Sequence, residues 1–365
     1  MADLVKYTGP WKGLNTDNPE NSIDAHEAAQ CDNFILRGGE IISAPRLSQC
    51  SQGLQYQSEI CRGITSFLDE NNLWHTMAFS DVSAYQLSNT RQWKFLSKLP
   101  IRGGGSSAFA VLITKMFMVN YSPFLYSWGG ITNTLGVEYA GIGAKYIVEL
   151  DSRLLLLNTV EVVNGSVQYF EQRIRATPSG VTNVFSPSDS GGLATGAWFV
   201  DMLDCPDVIM GCITVGASAY ILRTNGISQL TPLSTSGNNP FTINHMWASE
   251  RGMGNIYAQA CAQYGSIGIF VSTEDVYQLS PSGFNSIAPT VRYKLLSDLS
   301  NATFTPMGAI IPQLAQGFVY PMYVLSIPTG NNTVLWCYAI NEQQWFRRLL
   351  PGKLLTAPPK FVIVE

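Results

Sequence analysis

Along this chain apolar segments recur at 73–79, 116–119, 154–159, 208–215, 267–271 and 317–327. After each comes a strand-like segment centred on a tyrosine. Tyr85 lies in Ser-Ala-Tyr-Gln-Leu, Tyr126 in Phe-Leu-Tyr-Ser-Trp, Tyr169 in Val-Gln-Tyr-Phe, Tyr220 in Ser-Ala-Tyr-Ile-Leu, Tyr277 in Asp-Val-Tyr-Gln-Leu and Tyr338 in Trp-Cys-Tyr-Ala-Ile. Each unit reads as an inner apolar strand, a short turn, the tyrosine strand, another turn and a more polar outer strand. Successive tyrosines are 41 to 61 residues apart, the length of one four-stranded propeller blade. The predicted fold is all-β: a β-propeller of six blades, each of about four antiparallel strands. The propeller spans 59–350. An extended N-terminal arm occupies 1–58, and a linker with a short strand occupies 351–365.

Turn residues support this division. Gly129-Gly130, Pro178-Ser179-Gly180, Asn225-Gly226 and Pro281-Ser282-Gly283 follow tyrosine strands and supply the positive φ of tight hairpins. The first and last units share a further detail: Trp93 and Trp345 each follow a glutamine and precede a leucine, an offset that suits packing between neighbouring blades. Helical periodicity is scarce. It predicts one turn at 291–299 and a short one at 22–33, capped by Ser22 or Asp24 and filled by alanines. Residues 39–42 read as a strand.

Composition narrows the class. Of 365 residues, 46% are hydrophobic and 13% charged, about half the usual charged quarter. Such a surface suits either extensive partner contact or a Ser/Thr/Asn/Gln-covered monomer. Net charge is −4, without the cationic cluster that gripping nucleic acid requires. A conduit past which DNA slides benefits from weak negativity instead. The first eleven residues have no apolar signal-peptide core, and the apolar stretch at 109–119 is too short to span a bilayer. The 7 cysteines form no CxxC spacing, the pattern of buried thiols in a reducing compartment.

Catalytic and metal patterns are sparse. The histidines are His26, His75 and His245, expected as surface or hydrogen-bonded structural residues. Gly103-Gly104-Gly105-Ser106 has no following lysine and reads as an inter-blade connection. The oxygen clusters Asp69-Glu70-Asn71-Asn72 and Asp201, Asp204, Asp207 read as solvated hairpin tips. A propeller glycosidase needs paired carboxylates across its cavity, and Asp151, Glu161, Glu171 and Asp275 cannot be paired from sequence. No cofactor, metal or catalytic residue is assigned, so the chain reads as a non-enzyme. A glycan-binding module at a tail tip or baseplate is the alternative, with Trp128, Trp198 or Trp247 as exposed aromatics.

One ordered series of features in 208–349 resembles the tail-nozzle, or packaged-DNA stabilisation, proteins of short-tailed bacteriophages. It runs Val208-Ile209-Met210-Gly211-Cys212-Ile213, the Tyr220 strand, Arg251-Gly252-Met253-Gly254, Ile267-Gly268-Ile269-Phe270-Val271 and Val276-Tyr277-Gln278-Leu279. It ends with Ile287-Ala288-Pro289, the helical turn, an apolar strand, 334–338, and Gln344-Trp345. In the arm, Gly13-Leu14-Asn15, Asp32-Asn33-Phe34, Gly38-Gly39 and Arg46 resemble the opening segments of phage virion propellers. The resemblance implies a β-propeller virion protein, hexameric in the family. Its ring sits below portal and adaptor proteins around the DNA exit, a head-to-tail connection that holds packaged DNA until ejection. The implied partners are further copies of the chain and other tail proteins, with DNA passing nearby without specific binding and no membrane. The implied location is the virion tail, assembled in the host cytoplasm. Leu14, Asn15, Phe34, Arg46, Phe361 and Val362 are the expected inter-subunit contacts, so losing the arm or the tail is expected to impair assembly more than folding.

Overall fold

The computed structural model describes residues 11–19, 22–24, 26–32, 34–37, 40–43, 59, 61–99, 107–185, 196–204, 207–233, 239–246, 257–315 and 318–351. The arm holds two small pairs. In it β1 (Gly13–Leu14) runs parallel to β2 (Glu27–Ala28), and β3 (Phe34–Arg37) pairs antiparallel with β4 (Glu40–Ser43). Blade 1 is β5 (Cys61–Leu68), β6 (Trp74–Ser80), β7 (Ser83–Leu87) and β8 (Trp93–Lys98). Blade 2 is β9 (Ala108–Leu112), β10 (Lys115–Val119), β11 (Phe124–Trp128) and β12 (Gly136–Ala140). In blade 3, β13 (Ile142–Leu150) and the long β14 (Arg153–Val163) and β15 (Ser166–Ala176) precede a short β16 (Trp198–Asp201). Blade 4 is β17 (Ile209–Val215), β18 (Ser218–Arg223), β19 (Ile227–Pro232) and β20 (Phe241–Met246). Blade 5 is β21 (Ala262–Tyr264), β22 (Ile267–Val271), β23 (Val276–Ser280) and β24 (Gly283–Ser286). Helix α1 (Arg292–Ser300) leads to blade 6: β25 (Met307–Ala315), β26 (Phe318–Thr329), β27 (Asn332–Ala339) and β28 (Gln344–Pro351).

Each blade is a four-stranded antiparallel sheet whose strands are consecutive in the chain. The protein is therefore a six-bladed β-propeller, as the repeat predicts. Among the described residues no blade borrows a strand from the other end of the chain. The first strands of successive blades, from β5 round to β25, lie against one another in order and surround the axis.

The expected inner strand is displaced by one position. In five blades the apolar run is the second strand, with a more mixed strand inside it. A second strand has hydrogen-bonded neighbours on both edges and other blades on both faces, so it is apolar throughout: β14 buries eight consecutive residues. A first strand borders the axial cavity and tolerates alternation, as β5 shows. Blade 4 is out of phase with the others, because its run, β17, is the first strand. Tyr220 consequently stands on a second strand, while the other five repeat tyrosines stand on third strands.

Burial of the tyrosines varies. Tyr85, Tyr126, Tyr220 and Tyr338 are in the core, and Tyr277 is half-buried. Tyr169 is 57% exposed, since the end of β15 near the β14–β15 turn is exposed over four residues; it is not a blade-core residue. Trp345 is buried among Tyr323, Trp336 and Tyr338 and donates to Ile287 O at 2.5 Å, while Trp93 is only half-buried.

Gly130, Gly180 and Gly283 adopt positive φ, whereas Asn225 and Gly226 do not. There the Asn225 side chain donates to Asp207 Oδ1 at 2.6 Å. The β14–β15 turn does have positive φ at Asn164 and Gly165. The helix at 291–299 forms as α1. The helical turn at 22–33 does not: Asp24 Oδ1 accepts from His26 N and Glu27 Oε2 from Asp24 N, and such side-chain bonds compete with helix.

Candidate functional site

A propeller concentrates whatever chemistry it has at its axis, where six first strands converge. Here they enclose a cavity of about 240 Å³. Each blade contributes to its wall, for example through Thr65, Phe109, Val148, Cys212, Gln263 and Ala309. Blades 4 and 5 are tied together there, because Gln263 Oε1 accepts from Thr214 N at 2.8 Å and from Thr214 Oγ1 at 2.9 Å. Among the described lining residues Glu149 is the one carboxylate, and its Oε1 accepts from Ser152 N. A cavity of this size is on the scale of a small molecule, far below that of duplex DNA, whose major groove alone is about 12 Å wide.

The carboxylates considered for glycosidic chemistry lie elsewhere. Glu161 is buried in blade 3, where Arg175 Nε and Nη2 donate to its two oxygens at 2.8 and 2.7 Å. Arg173 joins it at 3.2 Å and forms a second fork with Asp201, at 2.6 and 2.8 Å. Arg173 also lies 3.8 Å from the Phe170 ring centre. Asp275 caps the β22–β23 turn, accepting from Val276 N and Ser286 Oγ. Asp151 and Glu171 are exposed. None of the four lines the axial cavity.

Of the acidic clusters expected as solvated tips, Glu70, Asn71 and Asn72 are exposed as expected, whereas the aspartates are paired within the structure. Asp69 is buried beside His75, with Oδ2 3.0 Å from Nε2, and its Oδ1 accepts from Asn71 N and Leu73 N. Arg223, fully buried, is held by Asp204 at 2.9 Å and faces Asp207 at 4.0 Å. These aspartates complete the charge balance that a buried guanidinium needs. Each histidine has a hydrogen-bonding partner: His26 meets Asp24, His75 meets Asp69 and Gln86, and His245 meets Ser228.

These pairings make stability pH-dependent. Burial raises the Glu161 pKa, but the hydrogen bonds from Arg175 and Thr159 outweigh it, and the group ends below its ordinary 4.5. Asp201, beside Arg173, lies below 3.8. So does Asp204, where Arg223 overcomes the effect of burial. A carboxylate whose folded pKa is depressed contributes stability above its unfolded pKa and loses it as pH falls toward the folded value. Denaturant midpoints should therefore hold steady above pH 4.5 and drop below it. Glu161→Gln removes one charge of a buried pair and should cost about 3 kcal/mol at neutral pH, with a shallower acid loss.

The described residues 11–19 of the arm pack on their own chain. Leu14 is buried in the blade 5–6 core, and Asn15 is buried with Nδ2 donating to Glu27 at 2.9 Å. Thr16 N donates to Thr290 O, Gln344 Nε2 to Trp11 O and Tyr293 N to Asp17 Oδ2. Gly13 has φ +96° with Gln344 Cβ 3.2 Å from where its own Cβ would stand, so glycine permits the close approach to β28. Leu14 and Asn15 thus anchor the arm within the subunit. Phe34 is exposed; Arg46, Phe361 and Val362 lie outside the described residues. Leu14→Ala should cost about 2–5 kcal/mol, read as a lower unfolding midpoint.

Of the tryptophans considered for glycans, Trp128 and Trp198 are 2% and 8% exposed, and Trp247 lies outside the described residues, as do residues 103–106. Trp74, which the sequence did not single out, is 59% exposed. Other residues missed from sequence are Cys212, Cys261 and Gln263. They sit on or beside first strands, whose mixed pattern gives little signal.

No protein-family model matches the chain, and no curated protein does. Solved propellers resemble it in shape. BamB from Moraxella catarrhalis is 13% identical, with 82% of this chain and 77% of that one covered and a TM-score of 0.42. A catalytically inactive virginiamycin B lyase from Staphylococcus aureus, solved with quinupristin, is 11% identical, with 82% and 87% covered and a TM-score of 0.49. YjhT is 9% identical, with 80% and 99% covered and a TM-score of 0.47. These likenesses concern fold alone. Among the described residues no helix is long and apolar enough to cross a membrane.

Proposed function

We propose that this chain is a structural virion protein of a bacteriophage, a ring component of the tail nozzle or head-to-tail junction. The observation that carries this reading is the motif series at 208–349, whose described members fall in order on three contiguous blades. They lie on β17, β18, β22, β23, α1, β26, β27 and β28. The series therefore follows one half of the propeller together with its helix. A stiff disc with a narrow axis suits a wall element of a larger ring, whose DNA passage lies between subunits.

An exposed apolar rim supports the same reading. Leu73 and Trp74 stand at the β5–β6 turn, Ile113 at the β9–β10 turn and Ile131 on the β11–β12 connection. The first and last of these segments touch: a Cβ on Gly130 would stand 2.7 Å from His75 Nε2. Exposed apolar patches of this kind mark contact surfaces. Trp74→Glu should weaken self-association measured by sedimentation while leaving the thermal midpoint within about 2 °C.

Particles assembled without this chain test the role. They should package DNA and then lose it, read as nuclease-sensitive genomes. Particles that keep their DNA, or purified virions without the chain, would remove the proposal.

A further inference from the structure

We propose that Cys212 and Cys261 form a two-thiolate site for a soft monovalent metal ion, of the copper(I) class, on the axial cavity wall between blades 4 and 5. Both residues line that cavity. Their relative position follows from register. β17 and the segment entering β21 are the first strands of adjacent blades and run in the same direction. Gln263 Oε1, bonded to Thr214 N and Oγ1, fixes how they align. Two residues back on each strand, on the same face, stand Cys212 and Cys261.

The turn Ala258–Ala260 lies beside both residues. β17 packs against it, and Cys261 Sγ lies 3.3 Å from Ala258 O. Cys212 packs with Ala258 on the cluster of blades 3 and 4, and Cys261 on the adjoining cluster of blades 4 and 5. Tyr146 belongs to the former cluster. Its hydroxyl is buried with no hydrogen-bond partner among the described residues, a costly state that a thiolate sulfur would relieve by accepting from it. The Lys145 ammonium lies 5.7 Å from the centre of the Tyr146 ring.

Ligand count selects the metal. Among the described residues no three His, Cys, Asp or Glu side chains come together. Zinc and calcium need more donors than two. Soft thiolates favour copper(I), which accepts a linear pair. On binding, both S–H bonds break, two S–metal bonds form and two protons leave to solvent. The complex carries one net negative charge. A bridging metal also spans more distance than a disulfide, whose Cα atoms must approach within about 7 Å.

The test uses the full, reduced chain with Cys31, Cys50, Cys61, Cys205 and Cys337 changed to serine. Copper(I) is titrated against a competing chelator. One equivalent should bind, with a sulfur-to-metal absorption band, an affinity that rises with pH and a raised thermal midpoint. C212S and C261S should each abolish that equivalent while retaining the circular dichroism of the parent. Tyr146→Phe should weaken binding by about tenfold. Phenylarsine oxide, which needs two adjacent sulfurs, should add once to the parent and not to either serine variant. Binding that survives C212S or C261S overturns the site. So does failure of both probes on folded parent protein, or a parent isolated with the two sulfurs already joined and two hydrogens lost.

Discussion

Trp336→Ala should be among the most damaging single substitutions in the chain, lowering stability by about 3–5 kcal/mol. The indole is fully buried and meets Trp345 edge-on at 6.3 Å. It also holds three elements together. Trp336 Nε1 donates to Asp298 Oδ2 at 3.0 Å, Arg347 Nε reaches the same oxygen at 3.3 Å, and Arg347 Nη1 reaches Asp32 at 3.1 Å. Removing the ring opens a cavity and takes a donor from the buried Asp298. Trp336→Phe separates the two effects, because it keeps most of the volume while leaving Asp298 short of a donor. It should cost about 1–3 kcal/mol. Denaturant midpoints give the sizes. Proteolysis near residue 20 should accelerate first, because Asp32 ties the arm to this network. An alanine variant with an unchanged midpoint would refute the role given to blade 6.

The second large effect is expected at Gly143, in β13. A Cβ there would stand 1.9 Å from Ser122 O and 2.8 Å from Phe124 N and O. These are backbone atoms, and they cannot swing aside. The corner they belong to is pinned by Tyr121 N donating to Ala144 O and Gly141 N to Pro123 O. Blades 2 and 3 would have to separate, so Gly143→Ala should cost more than about 3 kcal/mol. Gly136→Ala is the control: its Cβ would meet nothing closer than 3.7 Å, and the midpoint should stay within about 0.5 kcal/mol.

The repeat was legible because one strand per blade is flanked on all sides and must be apolar. Met116, Phe117, Met118 and Val119 on β10 are fully buried for that reason. What sequence could not give was the strand inside it. β21 is only Ala262–Tyr264, too short and mixed to stand out, yet it borders the cavity. Blade 4 shows the ambiguity directly, since its apolar run is the first strand and nothing local distinguishes the two phases. The charge network was equally hidden. Glu161 lies opposite Gln168 and Arg175 opposite Leu156, with an irregularity of the β14–β15 pairing between them, and Asp204, in the turn after β16, reaches Arg223 over 19 steps of chain. Such partners follow from tertiary contact and not from local spacing, so the aspartates looked like solvated tips. The arm's attachment to its own propeller was not legible, because its polar, turn-rich composition conceals one anchor, Leu14, which is buried in the blade 5–6 core.

The fold and the proposed role meet at the subunit surface. Six meandering blades surround an axial cavity of about 240 Å³, so in the proposed role the DNA passage lies between several copies of the chain. The arm secures blade 6 of its own subunit and leaves the rim around Trp74 available for contact. Native mass spectrometry of the purified chain tests this most directly. The account predicts a closed ring at one fixed multiple of the chain mass, six by the family resemblance, which Trp74→Glu breaks into folded monomers. A protein that stays monomeric at every concentration, with portal and adaptor proteins present, would contradict it.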